Sequence, residues 1–231
     1  NIALEPLAGR PLIDFTLDCA REVESCDLTF VTTDDTAIIE HCRGQPDLHA
    51  HLRDMRLSDP EVNLHEVVQD AVNHMETELG FHPDMIAILN VHAPLRRPEH
   101  VREALDTLLV YEVDQVLSTC EVSELQFRHG RQGLEPVNLG ITKRLRLERE
   151  ALFAWNGAVH VLWRDFLNTE NLYSGRIGHI IMPRVDSVQV KWPESRRRVE
   201  NILREREGLC QPVPQSLNDK KLDREGAKVA K

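Results

Sequence analysis

The densest concentration of side chains able to do chemistry lies between Arg128 and Arg149. There Arg128, Arg131, Lys143, Arg144, Arg146 and Arg149 are set against only Glu135 and Glu148, a local excess of four positive charges. The chain as a whole runs the other way: 28 Lys and Arg against 38 Asp and Glu leave a formal charge of −10 over 231 residues. A basic island in an acidic chain suits a multiply charged anion, because guanidinium forks give paired, charge-assisted hydrogen bonds to phosphate or carboxylate. Gly130, Gly133, Pro136 and Gly140 fall in the same stretch. It therefore reads as an irregular extension, and a solvated loop balancing acidic neighbours would have the same composition.

The overall acidity argues against a general nucleic-acid or anionic-membrane binder, so neither is expected as a partner. The longest apolar runs, such as Met85–Leu89, are strand-sized, far short of the ~20 residues that span a bilayer. The cysteines at 19, 26, 42, 120 and 210 are odd in number and form no CxxC pair. That argues against a disulfide scaffold and a zinc cluster, and it favours a reducing compartment, cytoplasmic or nuclear. No secretory signal opens the chain, and residue 1 is Asn rather than Met, so an upstream segment is expected to have been removed or left out.

The elements that must position these groups alternate. Pro11–Cys26 places Leu12, Ile13, Leu17, Ala20 and Val23 at helical spacing, and Leu64–Leu79 repeats apolar residues in an i, i+3, i+4, i+7 stripe. Pro98–Tyr111 and Arg196–Glu207 read as further helices, and Asp34 or Asp35 would cap another running through Cys42. Leu28–Thr32, Met85–Val91, Asp114–Cys120, Ala158–Trp163 and Ile177–Met182 are β-prone, and Arg164–Asn171 reads as a short helix. Strands separated by helices of this length imply right-handed βαβ crossovers and a mostly parallel sheet. The expected fold class is α/β.

Five segments carry a resemblance. They are NIALEPLAGRPLIDFTLDCA at the start, FVTTDD, LNVHAPLRRPEHVREAL, the run QFRHGRQGLEPVNLGITKRLRLEREALFAWNGAVHV, and DSVQVKWPESRRRVENIL. In order and spacing they resemble the acylneuraminate cytidylyltransferases, whose corresponding stretches read "L.G.PLI", V-S-T-D, Q-x-T-S-P-L-R, Q-F-R with E-P-L-N-L, K-R-x-R and N-G, and S-V-D-I-D with D-W-P. The resemblance covers residues 1 to about 205. It implies a Rossmann-like three-layer nucleotidyltransferase domain over 1–208, with a protruding dimerisation and substrate extension at 130–157 and a flexible tail over 209–231. It also implies a homodimer that uses CTP and an acidic sugar of the sialic-acid type, makes the CMP-sugar and releases pyrophosphate.

The same resemblance implies roles. Asn1 would close the nucleotide-binding loop. Arg53, with Ser58 nearby, would face the nucleotide, and Asn90 would contact the sugar with an amide one methylene shorter than the family's Gln. Arg146 falls on the essential arginine of K-R-x-R, with Lys143 and Arg144 beside it and Arg128 in a comparable cationic position. Asn156 would offer its amide to the sugar next to Gly157, which permits close backbone approach. Arg96 would orient the following helix; His160, on a strand, reads as a packed or surface histidine rather than a base.

Departures cluster at the metal site. The two acids of S-V-D-I-D are Gln189 and Lys191 here. Magnesium prefers hard oxygen anions, so Mg²⁺ would be carried mainly by CTP. This raises an alternative, a degenerate domain of the same fold that binds a ligand or partner without turnover. A metal-dependent glycosyltransferase is disfavoured because no Asp-x-Asp pair is present.

Overall fold

A computed structural model of the chain describes residues 2–45, 47–137, 151–169, 172–206 and 208. After a 3-10 turn at Ile2–Leu4, the short strands β1 (Pro6–Leu7) and β2 (Arg10–Pro11) lead into α1 (Leu12–Arg21). β3 (Thr29–Thr33), α2 (Thr36–Cys42) and β4 (Leu48–Leu52) follow, then α3 (Leu64–Glu78), β5 (Met85–Leu89), α4 (Pro98–Val110) and β6 (Gln115–Val122). The hairpin β7 (Phe127–Gly130) and β8 (Gly133–Pro136) precedes β9 (Leu152–Trp163), β10 (Ile177–Ile181) and α5 (Pro193–Arg206).

Local chemistry explains several boundaries. Asp35 caps α2 by accepting from Ala37 N at 2.7 Å, and Asn63 caps α3 by accepting from Glu66 N at 3.0 Å. Pro98 opens α4, where its missing N–H costs nothing, and His100 Nδ1 accepts from Arg97 N at 3.2 Å. α1 starts directly after Pro11 and stops at Arg21, short of the Cys26 that periodicity suggested.

The central sheet has the order β10-β6-β9-β5, and β3 and β4 form a separate parallel pair. Within the central sheet only β10 and β6 pair in parallel, because β9 runs antiparallel to both β6 and β5. The expectation of a mostly parallel sheet is corrected here to a mixed one. The physical reason is the connection: after β6 the chain doubles back on itself in the β7–β8 hairpin, and β9 returns along β6 with Leu152 opposite Val122 and Leu162 opposite Gln115.

Period-two alternation splits the strands between two helical layers. Met85, Ala87 and Leu89 of β5 and Val159 and Val161 of β9 face α4, packing with Val101, Ala104, Leu105 and Leu108, while Cys19 and Val23 of α1 join the same core. Ile86, Ile88 and Leu162 face the other way, onto Val68 and Val72 of α3. This is a helix–sheet–helix sandwich. α1 also reaches the β3–β4 pair, where Ile13 and Leu17 pack with Ile38, Val31 and Leu48. Residues 152–157, anticipated as part of an extension, lie in β9, where Leu152–Trp155 pair with Thr119–Val122 of β6.

Candidate functional site

The β6–β9 ladder breaks between Leu117 and Thr119. Leu117 pairs with His160 and Thr119 with Trp155, so Ser118 alone stands opposite the stretch from Asn156 to Val159. Extra residues on one strand bend it and re-aim its side chains. Gly157 sits in this irregularity at φ +66°, and a Cβ there would stand 2.6 Å from Gln189 Nε2. Only glycine allows both the turn and the approach.

Asn156 is 8% exposed and its amide is used inward. Oδ1 accepts from Ser118 Oγ at 2.6 Å and from Ala158 N at 3.1 Å, and Nδ2 donates to Ser187 Oγ at 2.9 Å and to Met182 Sδ at 3.3 Å. Ser118 Oγ also accepts from Val159 N at 2.7 Å. Gln189 Nε2 donates to the Asn156 carbonyl. Arg96, 4% exposed, donates to the carbonyls of Asn90 (3.1 Å) and Ala158 (2.7 Å) and so ties the end of β5 to the same irregularity. Burial holds its pKa below the usual arginine value, opposed by the adjacent Cys19.

A pocket of about 450 Å³ opens beside this network, lined by Cys120, Glu121, Val122, Glu124, Ala154, Trp155, Asn156, Arg184, Ser187, Gln189 and Arg198. Its size is that of a small-molecule site. The segment through Ser187 and Gln189 is anchored at two points. Val190 N donates to His92 O at 2.8 Å, and the His92 Nδ1–H donates to Val190 O at 3.0 Å. Asp186, 2% exposed, meets Arg97 at 3.0 Å and His100 at 3.6 Å, and it also accepts from Arg206. Two guanidinium groups compensate this buried carboxylate.

Two of the residues singled out by sequence, Asn156 and Gln189, thus touch each other at the pocket. Asn90 lies at the end of β5, where its Oδ1 accepts from His92 N at 2.9 Å, on the residue that also holds Val190. Arg53 and Ser58 are brought together elsewhere, at the ends of β3 and β4. Arg53 donates to Ser58 Oγ (3.0 and 3.2 Å), Thr32 O (2.9 Å) and Asp34 Oδ1 (3.3 Å). The Ser58 hydroxyl, then a backbone amide hydrogen bond and the Arg53 charge, hold the Asp34 carboxyl below its usual pKa. Arg128 is exposed on β7 and paired with Glu135 at 3.4 Å. Asn1, Lys143, Arg144 and Arg146 lie outside the described residues. His160 is buried, the packed one of the two placements the sequence left open, its Nε2–H donating to Gln115 Oε1 at 2.8 Å, and burial pushes its pKa down to about 4.

The donor set does not fit a protein-held divalent ion. Among the described residues no three His, Cys, Asp or Glu groups converge. At the positions in question stand the Gln189 amide and a lysine, and Asp186 next door is buried against two arginines. Sequence reasoning missed Trp155, Arg184 and Arg198. Trp155 directly precedes the Asn156-Gly157 pair, and Arg198 closes the Arg196–Arg198 run, but only the folded β9 irregularity brings the two around one cavity.

Comparison with known proteins places this geometry. No protein-family model matches the chain. It is 30% identical over 179 residues, 74% of its length, to an N-acylneuraminate cytidylyltransferase of Streptococcus agalactiae serotype III, and 27% identical over the same span to that of serotype V. The chain covers 41% of the length of these relatives. Among solved structures, a 4-diphosphocytidyl-2C-methyl-D-erythritol synthase superposes with a TM-score of 0.64 at 14% identity, over 87% of this chain and 93% of that one. A CMP:2-keto-3-deoxy-manno-octonic acid synthetase complexed with CTP gives 0.61 at 15% identity, over 89% and 92%. The matched three quarters of the chain are therefore homologous to the N-acylneuraminate cytidylyltransferases, on the Rossmann-like α/β fold of the cytidylyltransferases.

Proposed function

We propose that this domain transfers a cytidylyl group from CTP to a hydroxyl of an acidic, sialic-acid-like sugar and releases pyrophosphate. The observation that carries the reading is the homology to N-acylneuraminate cytidylyltransferases, together with a small-molecule pocket beside Asn156 and Gln189. In the transfer, the sugar oxygen forms a bond to the α-phosphorus. The bond from that phosphorus to the bridging oxygen breaks, the hydroxyl proton leaves to solvent, and pyrophosphate departs with the bonding pair. Catalysis of this kind is positioning plus charge stabilisation.

The chain's residues divide those tasks. Asn156, Ser118 and Ser187 hold the irregular strand that forms the pocket wall, and Gly157 lets Gln189 close on it. Arg146 is the catalytic cation, supported by Lys143, Arg144 and Arg128, and Lys191 adds positive charge where negative charge develops on the departing pyrophosphate. Asn1, Arg53, Ser58 and Asn90 contribute to substrate binding. Because the residues at Gln189 and Lys191 do not form a metal cage, any Mg²⁺ enters bound to the phosphates of CTP. The hairpin β7–β8 and the residues around it expose Leu125, Phe127, Leu134 and Val137, which supports a homodimer through this region. No described helix is long and apolar enough to cross a membrane, and four free thiols among the described residues favour a reducing compartment, cytoplasm or nucleus.

One observation favours a second reading, binding without turnover: an amide and an ammonium stand at Gln189 and Lys191. Pyrophosphate release from CTP and N-acetylneuraminate separates the two. Release that disappears in Arg146→Ala supports transfer. Binding of both substrates with no release supports the second reading.

A further inference from the structure

Arg198 projects from α5 and lines the pocket beside Ser187 and Gln189. The pocket's other cation, Arg184, is engaged with Glu124 at 2.8 and 2.9 Å and with Ser123. Arg198 makes no hydrogen bond or ion pair among the described residues. A guanidinium left uncommitted on a pocket wall is a ready partner for a carboxylate or phosphate.

Charge decides between these. Glu121 and Glu124 line the same pocket. Arg184 offsets Glu124, so a triphosphate, bearing several negative charges, would meet the Glu121 carboxylate and a single cation uncommitted among the described residues, which is unfavourable. A ligand with a single negative charge is balanced by Arg198 alone. The remaining lining suits a polyol: carboxylate oxygens accept hydrogen bonds from hydroxyls, and Trp155, 48% exposed, offers a flat apolar face to ring C–H groups.

We propose that Arg198 is a specificity-determining residue that binds the carboxylate of the acidic sugar in this pocket, with the sugar ring against Trp155. The inference rests on the sugar-acid reading above and deepens it. Arg198 is placed by geometry, on α5, outside the basic stretch from Arg128 to Arg149 where the sequence put Lys143, Arg144 and Arg146.

The test is calorimetric titration of the 231-residue protein with N-acetylneuraminate and with its uncharged methyl ester, using wild type, Arg198→Ala and Arg198→Lys. Loss of one charge-assisted contact corresponds to about tenfold or more in affinity. Wild type should therefore prefer the acid to the ester at least tenfold. Arg198→Ala should erase that preference and leave ester binding within about twofold, and Arg198→Lys should restore part of it. Unaltered melting of each variant, expected for an exposed side chain, keeps the comparison clean. Equal binding of acid and ester by wild type, no binding of either, or an equal loss of both in Arg198→Ala would overturn the proposal. Inorganic pyrophosphate is titrated alongside, and an Arg198→Ala loss confined to it would also overturn the proposal by assigning Arg198 to the nucleotide. Cytidylyl transfer is read separately. Turnover in Arg198→Ala with an unchanged KM for the sugar sinks this inference alone, and carboxylate-dependent binding without any turnover in wild type sinks transfer alone.

Discussion

Ser118 and Asn156 face each other where the β6–β9 register breaks, joined by a 2.6 Å hydrogen bond from Ser118 Oγ to Asn156 Oδ1. Every polar atom of the Asn156 side chain is engaged inside the protein, so the residue shapes the pocket rather than reaching into it. Asn156→Ala should cost about 2–4 kcal/mol in urea unfolding, because it removes several bonds and leaves Ser118 and Ser187 partly unsatisfied. Stability within about 0.5 kcal/mol of wild type, with a large rise in the KM for the sugar, would instead make Asn156 a direct substrate reader.

Gly157→Ala tests the close approach of Gln189. The positive φ and the clash with Gln189 Nε2 act together, and a destabilisation of about 1–3 kcal/mol is expected. Gly157→Ala combined with Gln189→Ala should recover part of it, since the clash is removed and the strain at φ +66° remains. Identical unfolding midpoints for the single and double variants would show that the approach does not matter.

Much of the scaffold was legible in the sequence. Apolar spacing located α3 and α4 to within a residue or two, and Asp35 was one of the two caps anticipated for α2. β4, Leu-His-Ala-His-Leu, was missed because two of its five residues are histidines and its burial is shallow. The direction of β9 was missed because alternation reports which face a residue takes and says nothing of strand polarity. Among site residues, resemblance found Asn156 and Gln189 but not the inward hydrogen bonds that engage the Asn156 amide. Its environment depends on Ser118 and Ser187, distant in sequence and chemically unremarkable in isolation.

Stability should fall as pH drops below about 6.5. Burial pushes the His160 pKa down to about 4, and burial together with Arg97 lowers that of His100. A histidine whose folded pKa lies below its unfolded value contributes stability that is complete above about pH 6.5 and is lost as pH falls toward the folded pKa. For His160 the span corresponds to about 3 kcal/mol between roughly pH 6.5 and 4. Urea midpoints across that range should decline, and His160→Gln should decline less steeply. A flat profile above pH 5 would contradict this.

Asp186→Ala should be destabilising because it leaves Arg97 and Arg206 without their shared carboxylate. Both guanidinium groups reach solvent, so the cost should be about 1–3 kcal/mol, below that of a fully buried pair. Arg97→Ala alone should cost less, since Arg206 still holds Asp186. Unfolding that ranks Arg97→Ala above Asp186→Ala would contradict the placement of Asp186 as the hub.

The most direct test of cytidylyl transfer is phosphorus NMR of CTP and N-acetylneuraminate incubated with the protein. Transfer predicts a new phosphodiester resonance growing in equal amount with pyrophosphate, and its loss in Arg146→Ala. CTP that persists unchanged beside bound sugar, or that yields only CDP and phosphate, would contradict it.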